Sequence, residues 1–113
     1  MNYEKTDTLE LGDIKLYMID APKSKQKIRV ETESAEPIDV DVALEGDAAA
    51  VKAFIERGRT LPGGKGEMPN RLAEKQAANR ASLEAEVPAG KSFTVLLSGA
   101  KKKTDVKLKV NSI

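Results

Sequence analysis

The 113-residue chain reads as a mainly β protein: one antiparallel β-sandwich, jelly-roll-like, of about six to eight strands with one short helix inserted near residues 47–57. Three observations predict it. Apolar residues recur at every second position in short runs before residue 45 and again after residue 82, the period of a strand with one face buried. The period turns helical only once, behind a run of three alanines. The length suits a single domain over residues 1–113, and 40% hydrophobic with 33% charged residues favours a folded core over disorder.

At the N-terminus Leu9 and Leu11, then Ile14, Leu16 and Met18, alternate, with the phase changing across Gly12–Asp13. This spacing predicts one or two strands with a kink or turn at Gly12, Ile14, Leu16 and Met18 forming one face. Gln26–Thr32 sets Ile28 and Val30 against Lys27, Arg29 and Glu31, a second strand. Ile38–Leu44 alternates Ile38, Val40, Val42 and Leu44 with Asp39, Asp41 and Ala43, and Pro37 marks its start. From Asp47, Val51, Phe54 and Ile55 stand at helical spacing, with Asp47 placed as a cap and Gly58 just past the end. Arg59–Asn70 carries two prolines and three glycines, which makes it a loop. Arg71–Arg80 is rich in helix formers but lacks an apolar stripe, so helix and edge strand both stay open. Three strands close the chain: Leu83, Ala85 and Val87, then Phe93, Val95 and Leu97, then Val106, Leu108 and Val110. Pro88–Gly90 and Ser98–Lys103 are the connections.

Composition excludes several function classes. With no His and no Cys, the commonest metal ligands, the usual general base and the thiol nucleophile are missing. No catalytic residues are assigned, and none of the carboxylates forms part of a nucleophile-and-base arrangement. A net charge of +1 and only four aromatic residues offer neither a basic field nor stacking platforms, so nucleic acid is not expected as a partner. The stretch PGGKGE differs from a phosphate-cradling loop because Gly66 follows Lys65 where Ser or Thr would hold magnesium. No run reaches the ~20 apolar residues of a membrane-spanning helix. Met1–Asp7 lacks the apolar centre of a signal peptide, although a piece of a longer exported protein would read the same way.

The order LELGDIKLYMI, KIRVETESAEPIDVDVAL and SLEAEVPAGKSFTVLLSGAKKKTDVKLKV resembles the small sandwiches of the bacterial pre-peptidase C-terminal type, and less closely the Golgi-dynamics family. The resemblance rests on the Gly-containing first hairpin, on Asp39–Leu44 and on the Pro88–Gly90 turn, and it leaves out roughly residues 47–80. It implies an accessory or interaction module of an exported protein, placed outside the cytoplasm.

Charge is segregated along the chain. Between Glu31 and Asp47 lie seven carboxylates and no Lys or Arg, a local charge of −7 in a chain of +1, so the remainder carries +8. Asp39, Asp41, Glu45 and Asp47 are candidate oxygen ligands for calcium, although their spacing matches no EF-hand loop. Cations on a neighbouring strand would neutralise the same residues, and a hairpin of the two strands sets Arg29 opposite Asp41. Lys101–Lys103, Lys107 and Lys109 read as turn and solvent-face lysines that blunt an edge. The leading expectation is therefore a non-catalytic module without a cofactor, binding another protein or a domain of its parent chain. Arg59, Leu61, Lys65 and Met68 of the loop are the candidate contacts. A calcium-binding accessory domain and a structural spacer are the alternatives.

Overall fold

The computed structural model describes residues 2–59 and 69–113. Six strands and one helix follow in the order β1 (Asn2–Leu9), β2 (Lys15–Ile19), β3 (Gln26–Leu44), α1 (Glu45–Glu56), β4 (Ala73–Val87), β5 (Phe93–Ser98) and β6 (Thr104–Ser112). All pairings are antiparallel. The 19-residue β3 organises them. Its first part, Ile28–Ser34, pairs with β6, which continues to β1. Its second part, Asp39–Leu44, pairs with β5, which continues to β2. Strand β4 follows the other edge of β3, with register shifts between Glu33 and Val40. One hydrogen-bonded sheet therefore has two halves hinged along β3 and β4.

The expected break at Pro37 is not a chain reversal, because Gln26–Thr32 and Ile38–Leu44 belong to one continuous strand. Proline cannot donate to a ladder, and Pro37 falls where β3 leaves β6 and has not yet reached β5. Side chains take over its neighbours' backbone groups there. The Glu36 N–H donates to the Thr104 hydroxyl (3.2 Å), the Ser34 hydroxyl to the Glu36 carbonyl (2.7 Å), and the Asn79 amide to the Ala35 carbonyl (2.7 Å). In this register Arg29 faces Glu84, not Asp41, and bonds it at 2.9 Å.

One core cluster draws on both halves, with Ile28, Val30, Leu108 and Val110 from one and Val40, Val42, Phe93, Val95 and Leu97 from the other. The alternation read from the sequence places these residues correctly. It fails in β2, where Tyr17 and Ile19 are buried while Leu16 and Met18 are 42% and 60% exposed. The turn re-phases the strand: Gly12 adopts φ +81°, and the Asp13 N–H closes onto the Glu10 carbonyl at 3.0 Å. Arg71–Arg80, left open between helix and strand, mostly joins β4, because β3 offers it a ladder and helix propensity alone yields to such pairing.

Helix α1 lies against the outer face of β3 and β5, where Val51 meets Ala43 and Leu96 and the half-buried Ile55 packs alongside. It begins two residues before the expected cap. Leu44 occupies the N-cap without a side-chain bond, and Asp47 sits in the first turn, where a carboxylate favours the positive end of the helix dipole. Gly58, at φ +67°, closes a Schellman end, its N–H reaching the Ile55 carbonyl and that of Arg59 the Phe54 carbonyl, both at 2.9 Å.

Candidate functional site

The outer face of β3 carries Asp39 and Asp41 side by side, two residues apart and pointing away from the core. Asp41 is fully buried, and two arginines share it. Arg59 bonds both its oxygens, Nη2 to Oδ2 at 2.7 Å and Nη1 to Oδ1 at 3.3 Å, and Arg71 Nη1 donates to Oδ1 at 3.3 Å. Arg71 also bonds Glu74 at 2.8 Å and lies over the Phe54 ring, 5.8 Å from its centroid. Burial works against the charged Arg59 guanidinium, but Asp41 first, then Asp39 and Glu74, hold it charged and raise its pKa.

Arg59 and Arg71 stand at the two ends of the Pro/Gly-rich segment. A single buried carboxylate therefore clamps both ends of that segment onto the sandwich. The Leu72 N–H, donating to the Val42 carbonyl at 2.7 Å, fixes the second end further. Of the loop residues singled out from the sequence, Arg59 thus serves as a foot of the loop, while Leu61, Lys65 and Met68 lie outside the described residues.

Asp39 is committed differently. Its Oδ2 faces Arg59 Nε at 3.5 Å, and its Oδ1 accepts the Ala77 N–H at 2.8 Å. Ala77 has φ +52° at a register shift of β4, so this bond holds an unfavourable backbone conformation in place. A Cβ on Gly99 would collide with the Asp39 carboxylate, which makes the bare glycine, at φ +77°, part of the arrangement.

The structure brings together Asp39 and Asp41 of the four candidate calcium ligands, and places Glu45 and Asp47 on the first turn of α1. Among the described residues no group of three or more carboxylates converges as a cation shell would. The expected neutralising cations come from the loop ends rather than from Arg29. Sequence reasoning missed Arg71 and Glu74, because their role depends on a loop closing back on itself.

Beside the clamp, the β1–β2 turn, the C-terminal end of α1 and the β5–β6 turn border an open cleft of about 750 Å³. Leu11, Ile14 and Ile55 form its apolar wall, Lys52 and Lys101 stand on it, and Ser98 contributes a buried hydroxyl with no hydrogen-bond partner among the described residues. Leu11 was read as a core position; it is 73% exposed. A second, smaller groove of about 460 Å³ crosses Glu31, Glu33, Arg80 and Lys107, a checkerboard of opposite charges.

No family model matches the sequence, and no curated protein matches it in a sequence comparison. Solved structures do match the fold. The chain is similar to the pre-peptidase C-terminal domain of a collagenase from Bacillus anthracis, with TM-score 0.66, 16% identity, and coverage of 98% of this chain and 90% of that one. It is also similar to PliG of Aeromonas hydrophila, a periplasmic inhibitor of g-type lysozyme, with TM-score 0.63, 10% identity, and coverage of 99% and 86%. The fold is that of the pre-peptidase C-terminal sandwich, as the order of segments in the sequence suggested.

Proposed function

We propose that the chain is a non-catalytic binding module that docks another protein, or another domain of its parent chain, through the end of the sandwich carrying the Arg59–Arg71 loop. The observation that carries this reading is the clamp. Tying both ends of a Pro/Gly-rich loop to one buried carboxylate lowers the entropic cost of presenting that loop, and leaves its tip free to vary without disturbing the core. The likeness to PliG supports the reading, because a sandwich of this shape there serves to inhibit another protein. That inhibitor's periplasmic home also supports a place outside the cytoplasm.

The test is a photo-crosslinking residue placed at Leu61, at Met68 and, as control, at Glu31 on the face of the other sheet half, in extracts of the source cells. A saturable adduct of one mass from the two loop positions and none from Glu31 is expected. Equal labelling from all three, or no adduct from any, as for a spacer without a partner, overturns the proposal.

A further inference from the structure

We infer that the cleft beside the clamp receives an extended segment of a partner protein in which an apolar side chain is flanked by carboxylates. This rests on the binding-module reading and names its ligand. Leu11, 73% exposed on a turn, continues the apolar wall of Ile14 and Ile55, and together they offer a partner's apolar side chain a surface to cover.

Charge then selects the flanks. Asp39 is already matched by Arg59 and the Ala77 N–H, and the Asp13 carboxylate accepts the Glu10 N–H at 2.9 Å. Lys52 and Lys101 have no ion-pair partner among the described residues, and the exposed Lys102 and Lys103 follow in the same turn. In the lining Asp13, Asp39 and Glu56 balance Lys52, Arg59 and Lys101, so the exposed Lys102 and Lys103 beside it make the rim of the cleft positive.

Synthetic peptides of about eight residues, each with a central Leu flanked by Asp, by Lys or by Ser, are titrated into the isotope-labelled protein. The Asp-flanked peptide is expected to bind roughly tenfold more tightly than the Lys-flanked one, with saturable amide shifts confined to residues 11–14 and 98–101. Lys52→Glu with Lys101→Glu should reverse that preference, and Leu11→Ser should weaken all three peptides; these side chains are exposed, so the fold stays intact. Equal affinities, shifts centred on the Glu31–Lys107 groove, or no saturable binding overturn the inference. Where crosslinking through Leu61 still yields its adduct, that failure belongs to the cleft alone; where it does not, the binding-module reading fails as well.

Discussion

At the residue scale, Asp41 is the side chain on which most depends. It is a fully buried carboxylate facing two guanidiniums that are themselves only about 15% exposed. Removing one member of such a group leaves the others charged and unpaired in a place water hardly reaches. Asp41→Ala should therefore cost about 3–5 kcal/mol in urea unfolding. Asp41→Leu combined with Arg59→Met should cost clearly less than the two single changes added together, because the pair disappears along with its desolvation. Simple additivity would show that the clamp is not a coupled unit. Its oxygens already accept guanidinium N–H groups, so calcium is expected to leave the melting temperature unchanged. A rise that Asp39→Asn with Asp41→Asn abolishes would instead support the calcium alternative. Ala77 offers the opposite sign. Its φ of +52° strains a side chain that glycine lacks, so Ala77→Gly should stabilise by roughly 0.5 kcal/mol, the relief exceeding the entropy glycine loses on folding. A loss of stability would mean that the entropy glycine loses on folding, rather than the strain of the backbone angle, dominates there, because the Asp39 bond uses a backbone N–H that glycine keeps.

At the scale of elements, the loop and the strands it joins behave differently. The clamp is made by Arg59, Arg71 and Leu72, none of them in the stretch removed, so deleting Leu61–Met68 should leave unfolding cooperative. A broad or non-cooperative transition would show that the loop is part of the core. Strand β6 was legible in the sequence because it buries one face only, with Val106, Leu108 and Val110 where their period puts them; in β5, Phe93, Val95 and Leu97 also sit where their period puts them, although α1 covers Leu96 and the other face is buried as well. Strand β2 was misread because both of its faces carry apolar side chains, so periodicity cannot choose between Leu16 with Met18 and Tyr17 with Ile19. The Tyr17 hydroxyl decides it by reaching Asp7 at 2.8 Å, a partner that no local pattern reveals. Helix α1 was legible from Val51, Phe54 and Ile55, yet its start moved to Glu45, because the Glu45 N–H finds the Ser92 carbonyl at 2.9 Å and needs no side-chain cap. The acidic pair was visible as a candidate site; its partners were not, since Arg59 and Arg71 are twelve residues apart in sequence and meet only when the loop closes.

At the scale of the whole molecule, the two halves of the sheet end in β1 and β2, and neither of these strands is bridged to the other by a backbone ladder. Side chains join them. Asp7 of β1 accepts the Tyr17 hydroxyl at 2.8 Å and the Lys15 ammonium at 3.3 Å, both from β2, so this one carboxylate ties the edge of one half to the edge of the other. The Tyr17 hydroxyl foremost, then the Thr8 N–H and Lys15, lower the Asp7 pKa, while burial and then Asp7 itself raise that of Tyr17. The two shifts act on opposite limbs of the pH profile. A depressed carboxyl adds stability that is present in full above its unfolded value of about 3.9, and is lost as pH falls through the lower folded value. A raised phenol adds stability that is present in full below its unfolded value of about 10, begins to fade as pH passes that value, and is gone once pH has risen through the folded one. Asp7→Asn should therefore be less stable than the parent near neutrality, with the gap narrowing as the solution is acidified below about pH 4. Tyr17→Phe should show its deficit narrowing on the alkaline side, above about pH 10. Urea titrations of the three proteins across that range decide the matter. If the gaps stay constant with pH, the two edges are held together by packing alone and the Asp7–Tyr17 bond contributes nothing to closing the sandwich.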